Sequence, residues 1–199
     1  MRPTRERSTV LHGRARLAGL VAAILFLSVL APPVAALGLF ESNPIFDYAR
    51  NGDTGAVDYF LKKGANIDVA NPAGETVLII GAQIGNLEMV DLALDHGARV
   101  DREDKFGKTA LSWAAERGQV PVVERLLTAR ADIDHQTQEG LTPVMFAVRS
   151  NRLAVLRVLL KNKADLSVLD YTGRSALGWA RASRDRRAET MLVRAGAKD

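Results

Sequence analysis

Apolar residues in this chain come in short bursts divided by polar turns, and the bursts keep helical spacing. In "GKTALSWAAERG", residues 107–118, Leu111, Ala114 and Ala115 follow Thr109, whose hydroxyl is placed to cap a helix. Gly118 ends that helix, because glycine enters a left-handed backbone without steric cost. The next burst, "QVPVVERLLTA", sets Val120, Val123, Leu126 and Leu127 on one face. Its Pro121 falls in the first turn, where the missing N–H costs nothing. "RADIDHQTQ" is then a polar turn leading to Gly140. The pattern predicts a turn followed by two short helices.

The same unit recurs along the chain. Gly74, Gly107, Gly140 and Gly173 are each 33 residues apart, as are Thr76, Thr109, Thr142 and Ser175. Gly64-Ala65 returns as Gly97-Ala98, Arg130-Ala131, Lys163-Ala164 and Gly196-Ala197, and Gly52, Gly85, Gly118, Asn151 and Arg184 keep the same step. Helices shorter than about 12 residues are not stable alone, so their faces must be buried on neighbouring copies. The expected fold is an all-α solenoid of about five repeats, near 41–70, 71–103, 104–136, 137–169 and 170–199, with short β-turn or hairpin connections.

A 33-residue period with Gly-x-Thr-x-Leu opening one helix and Leu-Leu-x-x-Gly-Ala closing the next resembles the ankyrin repeat. The resemblance covers about residues 41–199. The Thr-Pro-Leu-His of the family reads here as "TVLI", "TALS", "TPVM" and "SALG", without the histidine. Arg130 and Lys163 stand where the family has a left-handed glycine, at about 1 kcal/mol each. Gly178 inside a helix costs about as much again, so the last two repeats are expected to be the softer end. "SNPIF" at the start and the arginine-rich "ASRDRRAETMLVRAGAKD" at the end read as caps.

Residues 1–36 do not follow the repeat. Five arginines and one acid occupy residues 1–16, and "LAGLVAAILFLSVL" then runs uncharged from Leu17 to Leu30. With Pro32-Pro33 and "VAA" behind it, this is the pattern of a secretory signal peptide ending near residue 36. The absence of a twin-arginine pair points to the general secretory route, and the composition looks bacterial. The alternative is a retained membrane anchor, since no charge appears between Leu17 and Phe40. Residues 37–199, the expected domain, carry 22 basic and 22 acidic side chains, so the pI near 9.6 comes from the leader. That removes the argument for nucleic-acid binding. The chain has no cysteine, which excludes disulfides, a thiolate zinc site, a Cys nucleophile and a lipidated Cys. A periplasmic or secreted monomer is expected.

Chemistry is sparse. "GKT" at Gly107–Thr109 ends like a phosphate loop, but Arg102 stands where that loop needs glycine, and the same Gly-x-Thr recurs as "GET" and "GLT". Gly107 and Thr109 are spent on the repeat, which leaves Lys108 free for a partner. "DIDH" could hold a metal only through Asp132, Asp134 and His135, positions that other copies fill with turn residues. "GRSALG" is not a nucleophile elbow. No enzyme, metal or cofactor is expected. The resemblance implies a protein partner held on the concave side by the turn tips and first helices. Tip candidates are Lys105, Phe106, Lys108, Gln138, Glu139, Leu141, Tyr171 and Arg174, with Glu116, Arg117 and Arg149 at the helix ends. Trp113, Phe146 and Trp179, also 33 apart, are expected to pack between repeats.

The leader can be tested directly. Intact mass of the exported protein is expected to match residues 37–199; a mass that retains residues 1–36 would establish the anchored form instead.

Overall fold

The computed structural model describes residues 43–198. The signal-peptide expectation for residues 1–36 therefore lies outside the described residues. Ten helices occur among the described residues, arranged as five successive pairs. The pairs are α1 (Ile45–Arg50) with α2 (Thr54–Lys62), α3 (Val77–Ile84) with α4 (Leu87–Asp95), and α5 (Ala110–Arg117) with α6 (Val120–Thr128). They continue with α7 (Pro143–Arg149) and α8 (Leu153–Lys161), then α9 (Ala176–Ala182) and α10 (Arg186–Arg194). An isolated antiparallel bridge joins Leu169 to Ser175 across the last turn. This is the expected all-α solenoid.

Local chemistry starts each first helix. The hydroxyls of Thr76, Thr109, Thr142 and Ser175 accept the N–H of Ile79, Ser112, Met145 and Gly178 at 3.1–3.5 Å. The three threonines are buried, so these caps are made away from water. Second helices are capped less evenly: Asp53, Asn86 and Asp185 accept N–H groups, whereas Gln119 and Arg152 make no side-chain cap.

First helices pack in one layer and second helices in another, each on the equivalent helix of the next repeat. Between them runs one continuous apolar core, from Ile45 and Phe46 through Leu78, Met89, Leu111, Leu126, Met145 and Leu159 to Leu177 and Leu192. Successive turns are stapled by backbone bonds from Lys105 to the Ala73 carbonyl, Gln138 to Phe106 and Tyr171 to Glu139, at 3.0, 3.3 and 3.1 Å. A second staple runs through carboxylates. Asp68, Asp101 and Asp134 each accept the backbone N–H 31 residues further on, from Arg99, Asp132 and Asp165. Asp132 and Asp134 of "DIDH" are thus parts of the repeat-to-repeat joint. The Nε2 of His135 lies 3.0 Å from the Gly107 carbonyl.

The left-handed positions fall where the spacing placed them. Arg130 and Lys163 have φ of 62° and 61°, and Asn151 and Arg184 have 53° and 57°. Gly107 is left-handed too (φ 72°), and a Cβ on it would come within 2.8 Å of the Gln138 backbone nitrogen. Lys163→Gly and Arg130→Gly should each raise the unfolding free energy by about 0.5–1 kcal/mol by relieving that strain. Gly107→Ala should lower it by more than either gain, since φ strain is joined by a backbone clash. Urea midpoints of the three variants check this; an unmoved Lys163→Gly midpoint counts against the strain argument.

Candidate functional site

Each turn tip is closed by one acceptor at a fixed place in the repeat. The Oδ1 of Asp104 accepts the N–H of Phe106 and Lys108 at 2.8 and 3.0 Å. Asp170 does the same for Thr172 and Arg174, both at 2.9 Å, and also takes the Thr172 hydroxyl. Asn71 and Thr137 serve the equivalent turns through Ala73 and Glu75, and through Glu139 and Leu141. In the two aspartates the second oxygen is left over, and it accepts an indole N–H nine residues on. Trp113 Nε1 donates to Asp104 Oδ2, and Trp179 Nε1 to Asp170 Oδ2, each at 2.8 Å. Buried Asp104 and Asp170 therefore fix both the tip and the tryptophan plane behind it.

Cations lie over those rings. Lys108 Nζ is 3.9 Å from the Trp113 centroid and 4.5 Å from that of Phe146, and Arg117 is 5.7 Å from Trp113. Arg149 and Arg174 lie 4.7 and 4.4 Å from the Trp179 centroid. Such contacts contribute about 0.5–2 kcal/mol as the ring becomes desolvated. Phe146 is buried between repeats as expected. Trp113 and Trp179 pack on the core yet are only half-buried, so each shows part of a ring to the tip side.

Phe106 and Tyr171 are 55% and 73% exposed. Lys105 sits over the Phe106 ring at 5.1 Å, and the Tyr171 ring edges against Gly140 of the preceding turn. A shallow pocket of about 250 Å³ joins Phe106, Lys108, Trp113, Glu116, Glu139 and Arg149. Arg117 is exposed at the end of α5, Glu139 is exposed opposite Arg149, and Gln138 is anchored by a 3.0 Å bond from Nε2 to the Lys105 carbonyl.

Two expected placements are corrected. Leu141 is 2% exposed and joins the core, because its N–H is tied to Thr137 and its apolar side chain has core to enter. Lys108 is not free: its Nζ pairs with Glu116 at 2.8 Å and its side chain is 15% exposed.

A family model described as ankyrin repeats (3 copies) matches residues 45–137 and 113–198. The chain belongs to the ankyrin-repeat family. No curated protein matches the chain at a significant level. Ankyrin repeats act as protein–protein interaction modules and are generally not enzymes. No three His, Cys, Asp or Glu side chains are grouped to hold a metal among the described residues. None of the described helices is long and apolar enough to cross a membrane. The sequence reading missed Asp104 and Asp170 as organisers of this face. The 33-residue column Asn71, Asp104, Thr137, Asp170, with tryptophan nine places behind each aspartate, carried that signal.

Burial raises the Asp170 carboxyl, but the Thr172 hydroxyl, the Arg174 N–H and the Trp179 indole outweigh it and hold it below its ordinary value. Glu75 is similar: burial raises it, while Asn71, Gln83 and Arg50 together hold it down. A folded pKa below the unfolded one gives stability that is complete above the unfolded value and is lost as pH falls through the folded value. Unfolding free energy should therefore drop below about pH 4, the ordinary carboxyl range. Asp170→Asn should flatten that acid limb. Trp179→Phe, which strands the second Asp170 oxygen, should cost about 1–3 kcal/mol at neutral pH. Denaturant titrations at a series of pH values test both, and an acid limb parallel to wild type in Asp170→Asn refutes the assignment.

Proposed function

We propose that this ankyrin array is an exported adaptor that holds a folded protein partner on its tip face. The observation that carries the reading is the pair of large aromatics, Phe106 and Tyr171, held out at the tips by backbone bonds that fix their turns. Exposed aromatic and arginine side chains on rigid supports are the groups that dominate protein interfaces. Around them stand Lys105, Gln138, Glu139, Arg149 and Arg174, with Arg117 and the Lys108–Glu116 pair at the margin. Export rests on the leader pattern of residues 1–36 and puts the partner in the periplasm or outside the cell, with the array acting as a monomer. The uncharged run from Leu17 to Phe40 favours a second reading, a membrane-tethered component presenting the same face.

Phe106→Ala with Tyr171→Ala should abolish crosslinking of the array to its partner in intact cells while leaving the urea midpoint near that of the parent. Full capture of the same partner by this double variant would show that the tips are not the binding surface.

A further inference from the structure

At one place in the repeat the tip face pairs two side chains in two copies and fails to do so in the next two. Glu75, Lys108, Leu141 and Arg174 each stand immediately before a helix cap, and Gln83, Glu116, Arg149 and Ala182 follow eight residues later. In the first two cases the pair closes on itself. Gln83 donates to Glu75 at 2.9 Å, and Lys108 to Glu116 at 2.8 Å. In the next, Leu141 has turned into the core, so Arg149 has no partner at that position. In the last, Ala182 offers Arg174 nothing.

The two guanidinium groups converge instead on one ring, Trp179, within 4.7 Å of its centroid. The acid beside Arg149 is Glu139, 4.0 Å away with a side chain 77% exposed, a contact that contributes little. No ion pair joins Arg174 to an acid among the described residues. The Trp179 plane cannot swing away, because Asp170 holds its N–H. A fixed aromatic plate flanked by two arginines thus lacks the carboxylate that Glu116 supplies beside the other plate, Trp113. Residues 171–199 add to the field, with seven basic and three acidic side chains.

We infer that Arg149, Arg174 and Trp179 receive an acidic segment of the partner protein, its Asp or Glu carboxylates pairing with the two guanidinium groups that stack on the indole. This rests on the tip-face reading. Arginine suits the task because its planar fork binds a carboxylate through two hydrogen bonds while stacking on an aromatic face. Trp113 supplies the internal comparison: the cation nearest its ring, Lys108, is already neutralised by Glu116, and Arg117 lies farther off at 5.7 Å.

The chain has two tryptophans, so its indole N–H resonances report the two plates separately. Titrating the protein with a hexaglutamate peptide at low salt should shift the Trp179 indole signal and leave that of Trp113 in place. Hexaglutamine should shift neither. Arg149→Gln with Arg174→Gln should weaken the hexaglutamate response about ten-fold or more, with both indole signals present in the peptide-free spectrum to show an intact fold. A response centred on Trp113, or one unchanged in the double variant, overturns the inference. So does an equal response to acetate at the same carboxylate concentration, which marks a general anion site. A stronger arginine-dependent response to phosphatidylglycerol vesicles assigns the site to membranes and equally overturns it. If the Phe106/Tyr171 variant loses the crosslinked partner and the arginine variant keeps it, the tip-face reading stands and this inference falls; if both keep it, both fall.

Discussion

Helices of six to nine residues are too short to persist in water, and this array is built entirely of them. Each survives because its apolar side is closed by the next repeat, so the register between repeats is the constraint on which everything else depends. A drift of one residue would turn Val123 and Leu126 off the core and separate Asp101 from the Asp132 N–H. The fixed 33-residue step answers that demand. It sets backbone bonds at the tips, carboxylate staples at the far turns and buried threonine caps at one height in successive copies. Nearest-neighbour contacts then make one core from units that have none of their own.

The same joints prepare the surface. Asp104 and Asp170 are needed to close turns, but a carboxylate has more acceptor capacity than a turn uses. The spare oxygen takes the indole N–H, which would otherwise be half-buried without a partner. Where the acceptor is Asn71 or Thr137, the residue nine places on is Ile80 or Phe146, neither of which has a side-chain donor to satisfy. Both tryptophan planes are thus set by turn chemistry, and the cations above them find rigid rings. A recognition surface held this way spends little conformational entropy on binding.

Much of this was legible in residue spacing. The period, the threonine caps and the left-handed Arg130 and Lys163 all followed from position within the repeat, because backbone conformation is what a repeat enforces. Side-chain direction was not legible in the same way. Leu141 occupies the column of Lys108, yet one side chain enters the core and the other lies across two rings to reach Glu116. Position named both as tip residues; hydrophobicity in one case and a carboxylate eight residues away in the other decided where they went. The Asp–Trp pairs escaped notice for a related reason: each residue taken alone reads as a turn former or as core.

The departures from glycine show which parts of the surface can vary. At Gly64, Gly97 and Gly196 an added Cβ would meet nothing within 4 Å, so a side chain there incurs only the left-handed backbone cost. That column is where Arg130 and Lys163 stand. Around Gly85 and Gly118 the obstacles are the side chains of Gln119 and Arg152, which can move, and that column admits Asn151 and Arg184. At Gly74, Gly107 and Gly140 the obstacle is the backbone of the next tip, 2.7–2.8 Å away. No side chain stands there, because strain and collision would act together. Those close approaches hold neighbouring tips in line, and with them Phe106, Tyr171 and the arginines beside Trp179. The residues on the tips are free to specify a partner because the glycines beneath them are not free to change.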